Sequence, residues 1–267
     1  MLDHVYYAYA VVPPRTPTEV APPGIDERPV ELVGDAHIAA LVSRLDAATY
    51  GQEIDQRLSD VAWIAPRATA HDAVLTWASD LGAVIPLPLL SLFRSTDAVR
   101  ALLDKRHDEL APLLEHVSRG REFGVRIFRL DEEVRRSLSS YSPRVAALEA
   151  DVAAAPTPGQ GFLLGRKLDQ LRKDEVRRVA ADVATAAFND LSARSIEAVE
   201  DPLPKTGPER VGSAVLNAFF LVSHDRVDEF RAVVTDFVRT HDHRGFRVEF
   251  TGPWPPYHFT HGAGHAG

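Results

Sequence analysis

The sequence predicts an α+β protein of two domains, and three observations indicate this fold class. Its 267 residues are enough for one large domain or two of ordinary size. The first 120 residues alternate strand-like and helix-like segments. The second half reads strand, long helix, strand, helix, strand, an order that favours helices packed on a sheet. We therefore expect an N-terminal α+β domain over residues 1–120. Residues 121–267 should form a C-terminal domain, a variant of the ferredoxin-like fold with a long helix and a flexible His/Gly tail.

The composition excludes several classes of protein. With 45% hydrophobic and 25% charged residues, the chain is typical of globular proteins. It has no cysteine, so it has neither a disulfide framework nor a thiolate nucleophile, which fits a reducing cytoplasm. The net charge of −8 argues against general nucleic-acid binding, which requires a basic face.

Neither export nor membrane insertion is expected. Asp3 stands where a signal peptide would carry positive charge. The most apolar long window, residues 73–93, contains Asp80, Pro86 and Pro88, whereas a membrane helix needs about 20 mostly apolar residues. We interpret this window as buried core, and we expect a cytoplasmic protein.

Strand and helix signals alternate in the first half. Val5–Val12 is rich in aromatic and β-branched residues and predicts a strand. Residues 13–29 contain six prolines and predict a loop. His37–Leu45 fits a strand or a short helix, and the turn-like Gly-Asp before it favours the strand. Val61–Ala65 is interpreted as a short buried strand, and a helix is expected over Thr69–Asp80.

Prolines and a capping residue divide the rest of this half. Residues 83–93 are expected to form one or two short extended segments around Pro86 and Pro88. Ser95 or Thr96 can cap a helix over residues 97–117, where apolar residues recur at helical spacing. Gly120 is expected to end that helix.

The second half opens with a strand and contains the longest helix. Glu122–Leu130 predicts the strand, and a helical segment follows from Asp131. The proline- and glycine-containing stretch of residues 155–161 interrupts the helical pattern. The longest helix is expected over Phe162–Leu191, with an apolar stripe on one side and mixed charges on the other. Such a mixed face is usually solvated.

Three more elements complete the second half. Residues 198–213 are polar and proline-rich and predict a loop. Val215–Val222 predicts a strand, and Asp225 can cap a helix that ends near Thr240. Residues 245–252 alternate apolar and charged side chains, so they predict a closing strand with one buried face.

The histidines are the strongest candidates for catalytic chemistry. Five of them lie in the last 27 residues: His241, His243, His258, His261 and His265. Imidazoles bind zinc, so a metal-dependent enzyme built on these residues is one alternative function. A catalytic zinc site needs about three ligands on fixed elements, however, and the glycine-rich tail offers none. We expect no metal, no cofactor and no catalytic residue.

Other catalytic motifs are absent or have wrong spacing. There is no G-x-S-x-G nucleophile elbow. Glycines 159, 161 and 165 superficially resemble a dinucleotide-binding fingerprint, but their spacing is wrong and no strand precedes them. Residues 131–133 are acidic, which suits a helix start because negative charge offsets the helix dipole there.

The stretch TGPWPPYHF, residues 251–259, ends the closing strand in a rigid aromatic corner. Proline has no backbone N–H, so the chain must leave the sheet or follow its edge. Trp254, Tyr257 and Phe259 can then fold back over apolar surface. Alternatively, the prolines could dock into a partner's groove as a polyproline helix, which would make the protein a generic peptide-binding module.

Several motifs, in order, give the chain a resemblance to the gas vesicle GvpL/GvpF family. GFRVEFTGPWPPYHF resembles the closing motif of that family, and VYYAYAVVP and HIAALVS resemble its first strands. EFGVRIF is similar to its E-W-x-V-K-V strand, and GQGFLLGRKLDQ to its G-x-x-Y-L-x-x-K helix start. VIPLPLLSLF stands in place of a P-L-R-F-G-T segment but lacks its basic residue and its glycine, which puts the mode of partner binding there in doubt.

The resemblance implies an assembly factor or minor structural protein of gas vesicles, not an enzyme. It implies a modified ferredoxin-like C-terminal domain and a gas-vesicle-associated location. It also implies contacts with the small hydrophobic shell protein and with other accessory proteins. Whether the chain acts as an L-type or F-type member, and in which oligomeric state, stays open. The candidate contact residues are Pro86, Leu87, Leu89, Leu90, Phe93, Trp254, Tyr257 and Phe259.

Overall fold

A computed structural model describes residues 3–50, 54–57, 59–204 and 212–260. By its internal contacts the chain forms two compact units. The first is Met1–Glu122 together with the residues from Pro253 onward, and the second is Phe123–Gly252. Our division from the sequence placed residues 121–267 in one domain, whereas the contacts group residues 253–260 with the first unit; residues 261–267 lie outside the described residues.

The first unit is built on a five-stranded sheet. Its elements are β1 (His4–Val12), β2 (Glu31–Gly34), β3 (Ala39–Asp46), α1 (Ala47–Tyr50), α2 (Ile54–Arg57), α3 (Val61–Leu81), β4 (Ile85–Pro86), β5 (Leu92–Phe93), α4 (Thr96–Lys105) and α5 (His107–Val117). The strand order is β2-β3-β1-β4, and β5 also pairs with β1. β1 runs antiparallel to β3, β4 and β5.

Strand β1 is buried without interruption from Tyr7 to Val12. Successive side chains of a strand point to opposite faces, so continuous burial means that both faces of the sheet are covered. Tyr7 and Tyr9 share a core cluster with Val74 and Leu75 of α3. α4 and α5 also contact the sheet.

One strand prediction and one helix prediction in this unit were wrong. Residues 61–65 are the first turns of α3, not a strand, because the Asp60 carboxylate accepts hydrogen bonds from the N–H groups of Ala62 and Trp63 and caps the helix there. The helix expected over residues 97–117 is two helices that break at Arg106, and Ser95 caps the first of them.

The second unit alternates strands and helices. Its elements are β6 (Gly120–Arg129), α6 (Asp131–Ser137), α7 (Pro143–Ala153), α8 (Pro158–Ser192), β7 (Glu197–Glu200), β8 (Ser213–Ser223), α9 (Val227–His241) and β9 (Phe246–Trp254). The sheet order is β7-β8-β6-β9. Gly120 therefore begins a strand. Phe123, Phe220, Phe230 and Phe246 are fully buried in the core beneath α8 and α9.

The sequence missed one strand and misplaced two helix starts in this unit. β7 overlaps the start of the predicted loop over residues 198–213 and pairs with β8. α8 begins at Pro158, four residues earlier than predicted, because the Thr157 hydroxyl accepts from the Gln160 N–H. α9 has Arg226 at its N-cap, so the predicted Asp225 cap was wrong. Asp225 instead accepts a hydrogen bond from the Ser223 hydroxyl.

Among the helices of the described residues, none combines the length and apolar character that a membrane crossing needs.

Candidate functional site

The aromatic corner at residues 253–260 packs within the first unit. Pro255 and Pro256 are buried, so neither is available to a partner's groove as a polyproline ligand. The chain then turns through a short 3₁₀ helix, Tyr257–Phe259. Phe259 is buried, whereas Trp254 and Tyr257 remain 42% and 37% exposed. The corner thus buries Pro255 and Pro256, leaves Pro253 exposed, and keeps two aromatic rings at the surface.

A buried carboxylate holds this corner in place. Glu122 is only 1% exposed. One of its oxygens accepts from the backbone N–H of His258 at 2.9 Å, and the other lies 2.6 Å from His258 Nδ1. Because an ionised carboxylate only accepts hydrogen bonds, the proton of the ring lies on Nδ1. Two hydrogen bonds to one buried carboxyl group thus fix the position of His258 in the corner.

Tyr257 adds a weaker contact to α3. Its hydroxyl lies 3.4 Å from Asp72 Oδ1. Burial raises the pKa of Tyr257 above its ordinary value, and the negative charge of Asp72 acts in the same direction. The phenol is therefore neutral and able to donate to Asp72.

The second candidate segment, residues 86–93, forms the broken edge of the first sheet. The Leu87 N–H donates to the Tyr9 carbonyl beside β4, and the chain then leaves the sheet before it pairs again as β5. Leu90 adopts a positive φ of 68°, which is uncommon for a residue other than glycine. Its N–H donates to the Tyr7 hydroxyl at 3.1 Å, so a buried side chain fixes the turn.

A buried polar cluster lies beneath this edge. The Tyr7 hydroxyl is 2.7 Å from Nδ1 of His71, which is 6% exposed. Burial lowers the pKa of His71 to about 4, since the apolar surroundings disfavour the charged ring. Burial also raises the pKa of Tyr7. His71 is therefore neutral at pH 7 and accepts the hydrogen bond from Tyr7.

The structure leaves only part of the candidate contact set accessible. Pro86, Leu87 and Phe259 are buried and serve as core of the first unit. Leu90 and Phe93 are partly buried, and Leu89 is 36% exposed. The candidate residues that remain at the surface are therefore Leu89, Trp254 and Tyr257. His71 and Asp72 are neighbours on α3. His71 contacts Tyr7, whose hydroxyl accepts from Leu90 in the segment of residues 86–93, and Asp72 contacts Tyr257 in the aromatic corner.

The second unit contains an apolar groove that sequence reasoning missed. It has a volume of about 770 Å³ and lies between the C-terminal half of α8 and α9. Val125 and Ile127 of β6 line it from the sheet, and Ala186, Ala187 and Phe237 line it from the helices. Small residues on α8 keep this space open, a composition typical of sites that receive apolar side chains.

One end of the groove carries an aromatic stack. The Tyr141 hydroxyl lies 3.0 Å from His241 Nδ1, and the His241 ring also packs against Phe237. Burial and the nearby positive charge of Arg244 lower the pKa of His241. The lowered pKa favours the neutral form of the His241 ring at pH 7, and Arg244, which also lines the groove, supplies a positive charge at this end.

The described residues do not form a metal site. Within them no three histidine, cysteine, aspartate or glutamate side chains converge. His241 is engaged by Tyr141, His258 by Glu122, and His243 approaches Arg244. His261 and His265 lie outside the described residues. Glycines 159, 161 and 165 are inside α8 and do not form a phosphate-binding loop.

Few signals in the sequence point to these features. The Glu122 contact joins residues 136 positions apart, and a lone glutamate in a strand is ordinarily solvated. For the groove, the available signal was the five alanines among residues 180–187. Small side chains on one helix do not specify which element lies opposite them.

Comparison with known proteins gives consistent results. The family model described as gas vesicle synthesis protein GvpL/GvpF matches residues 5–261. Gas vesicle protein L of Streptomyces sp. (strain CB03234) is 30% identical over 263 residues, which cover 96% of this chain and 93% of the relative. Gas vesicle protein F of the same strain is 29% identical, with coverage of 97% and 99%. The chain is thus almost equally similar to an L protein and an F protein.

Solved structures show the same fold. The crystal structure of the gas vesicle protein GvpF from Anabaena sp. PCC7120 superposes with a TM-score of 0.66 at 20% identity, and the match covers 96% of each chain. GvpF from Microcystis aeruginosa also gives 0.66, at 21% identity, with coverage of 96% of this chain and 98% of that one. At these identities the likeness supports the fold alone.

Proposed function

The chain belongs to the GvpL/GvpF family of gas vesicle synthesis proteins, and from this premise we propose that it assists vesicle assembly by binding apolar segments of other gas vesicle proteins. It takes part in gas vesicle formation as a member of that family, which is not a known enzyme family. The finer proposal names the small hydrophobic shell protein as one partner, bound in the cytoplasm before it joins the vesicle, and other accessory proteins as further partners.

We also assign the two units as domains, the second with a modified ferredoxin-like fold. Its order of strands and main helices is β6, α8, β7, β8, α9, β9, which is the β-α-β-β-α-β order of that fold. The inserted α6 and α7 are the modification.

The observation that carries the binding proposal is the apolar groove between α8 and α9. A free shell protein would expose apolar surface and aggregate. A groove lined by valine, alanine and phenylalanine could cover part of that surface, since binding energy comes mainly from a few buried apolar anchors. Asp182, Asp190 and Asp236 at its border pair with arginines, so the border carries little net charge.

A substitution that fills the groove tests this proposal. Ala186 is exposed and lines the groove, so Ala186→Trp should occupy the space without disturbing the core. Its matched control is Thr185→Trp on the exposed side of the same helix, outside the lining. We expect Ala186→Trp to weaken binding to a carrier-fused shell protein about tenfold or more, which is about 1.4 kcal/mol, and Thr185→Trp to change it less than about twofold.

Biolayer interferometry measures this affinity, and circular dichroism verifies that both variants fold. Equal affinities for the wild type and Ala186→Trp would remove the groove from the proposal. No binding of folded wild type, to the shell protein or to accessory proteins, would overturn the function itself.

The anchors of the first unit provide a second proposed contact. Leu89, Trp254 and Tyr257 could insert into a partner because they are apolar and partly exposed. We expect Leu89→Asp and Trp254→Ala each to reduce capture of the shell protein in a pull-down. Val20→Asp is the control, since Val20 is 67% exposed in the same unit and lies outside both candidate segments. An equal loss with Val20→Asp would show a general surface effect.

A further inference from the structure

The N-terminal half of α8 carries an exposed face with both apolar and cationic side chains. Phe162 and Leu163 are 66% and 68% exposed, and they are the most exposed large apolar residues of the second unit within its described part. Thr157 caps this end of the helix. A Cβ atom placed on Gly159 or Gly165 would meet nothing within 4 Å. The two apolar side chains therefore stand in open space.

These two residues are not an extension of the core. Leu164, Leu168 and Leu171 of the same helix pack on the core cluster that includes Val145 and Leu148 of α7. The apolar stripe of α8 is thus complete on its buried side. Phe162 and Leu163 lie on the other side, where solvent exposure of two large apolar residues contributes nothing to the stability of the unit.

Four cations share this face. Arg166, Lys167, Lys173 and Arg177 are exposed, and none of them forms an ion pair with a described residue. At 100° per residue, they and the two apolar residues fall within an arc of about 140° and extend over about 22 Å of helix. Asp174 lies in the same arc, at hydrogen-bond distance from Gln170. Asp169, at its border, pairs with Arg172. The face therefore has a net positive charge on a chain whose net charge is −8.

We propose that this face of α8, which we name the α8 face (Phe162, Leu163, Arg166, Lys167, Lys173 and Arg177), docks onto an acidic surface of a partner protein that has an apolar pocket. The pocket receives Phe162 as an aromatic anchor and Leu163 beside it. Carboxylates of the partner meet the four cations, which steer association and fix the register along the helix. The α8 face is distinct from the groove between α8 and α9, so the two proposals can fail separately.

A membrane surface would also present negative charge, but the geometry favours a protein. Helices that lie on membranes bury a whole apolar face in the lipid. The apolar stripe of α8 is already used by α7 and the core, which leaves two large apolar side chains. Two anchors suit a pocket on a protein better than a lipid surface.

A photo-crosslinker at the α8 face identifies the partner directly. Phe162 is replaced by benzoylphenylalanine in the full chain, within cells that make gas vesicles. This residue is aromatic and Phe162 is exposed, so folding should be retained. The control position is Val238, which is 37% exposed on α9. We expect position 162, and not position 238, to give an adduct with one protein, whose crosslinked site mass spectrometry should place beside aspartate and glutamate residues.

Charge reversal then tests the chemistry. In the crosslinking chain, Arg166→Glu with Lys173→Glu should reduce the adduct about tenfold or more. Arg15→Glu with Arg119→Glu changes the net charge equally at two exposed cations of the first unit and should leave the adduct unchanged. With the purified partner, affinity should fall several-fold between about 50 mM and about 300 mM NaCl, since salt screens exposed charges.

Several outcomes would overturn the proposal. The first two are the absence of a specific adduct at position 162 and an adduct with a second copy of this chain. The third is an adduct whose yield the charge reversal does not change. The fourth is that the chain binds lipid vesicles of phosphatidylglycerol and phosphatidylcholine and no protein. An Ala186→Trp chain that still gives the adduct would show that the α8 face acts independently of the groove. Loss of the adduct in Ala186→Trp would place both effects at one site and contradict a separate docking surface.

Discussion

Acidification should destabilise the first unit through one buried histidine. His71 is 6% exposed, and burial lowers its pKa to about 4 from an ordinary value of 6.5. In the folded protein its Nδ1 accepts from Tyr7. A protonated ring would instead present a donor and an uncompensated charge to this apolar site. Asp72 partly offsets the effect of burial.

The size and direction of the effect follow from the two pKa values. Because the folded-state value is the lower one, the contribution to stability is complete above about pH 6.5 and is lost as the pH falls toward about 4. A difference of about 2.5 pKa units corresponds to about 3 kcal/mol in total. About 2 kcal/mol of this should be lost by about pH 5.

Urea unfolding at about pH 7.5 and about pH 5 measures this loss. The wild type should lose about 2 kcal/mol more than His71→Phe between the two values, even if the variant is less stable at both. His71→Gln serves if the phenylalanine variant does not fold. The matched control is His243→Gln, which removes an exposed histidine of the second unit.

Equal losses for the wild type and His71→Phe would refute the reasoning. So would an NMR titration in which the His71 ring takes up its proton near pH 6.5, because the ring would then be free of the burial that the structure shows.

Four further substitutions, at three positions, test local contacts. Gly245→Ala should lower the free energy of unfolding by about 2 kcal/mol or more, since the φ of Gly245 is +93° and the new Cβ would lie 2.5 Å from the Val134 nitrogen. Thermal unfolding measures this loss of stability, and an unchanged melting temperature would contradict the prediction. Glu122→Ala should cost about 2–3 kcal/mol in urea unfolding because it removes the buried carboxylate that holds the His258 backbone N–H and ring. Glu122→Gln should cost about 1 kcal/mol or less, since an amide can accept from the backbone N–H of His258 and donate to the other tautomer of its ring. Equal costs for Glu122→Ala and Glu122→Gln would show that these hydrogen bonds do not contribute to stability. Thr157→Ala should destabilise the first turn of α8 by about 1 kcal/mol. Hydrogen exchange of the first-turn amides should then be faster than in the wild type, and an unchanged exchange rate would count against the cap.

The sequence predicted the periodic helices and strands because their signals are local. The α+β class was confirmed, and β1, β6, β8 and the long helix α8 lie close to where the sequence predicted them. Alternation with a period of two, or a stripe with a period of 3.6, depends on neighbours along the chain. The recognition of the GvpL/GvpF family was also confirmed, and it rested largely on the closing motif of residues 245–259.

Predictions failed where short segments had no period of their own. Residues 61–65 are an apolar run that fits a strand or a helix, and the side chain of Asp60 decides for the helix. β7 has only four residues, none fully buried. Its pairing with β8 makes it a strand, so the decisive contacts lie some 20 residues away along the chain.

By itself, the sequence determined the fold class, the family, and the positions of the long elements, because capping and periodicity act over a few residues. Tertiary structure alone decided that Glu122 meets His258, that Pro86, Leu87 and Phe259 are core, and that α8 and α9 enclose a groove. Each of these depends on which distant segments come together. A buried carboxylate is stable only where a particular donor reaches it, and a cavity exists only where two surfaces fail to fill the space between them. Neither condition is encoded at the residues concerned.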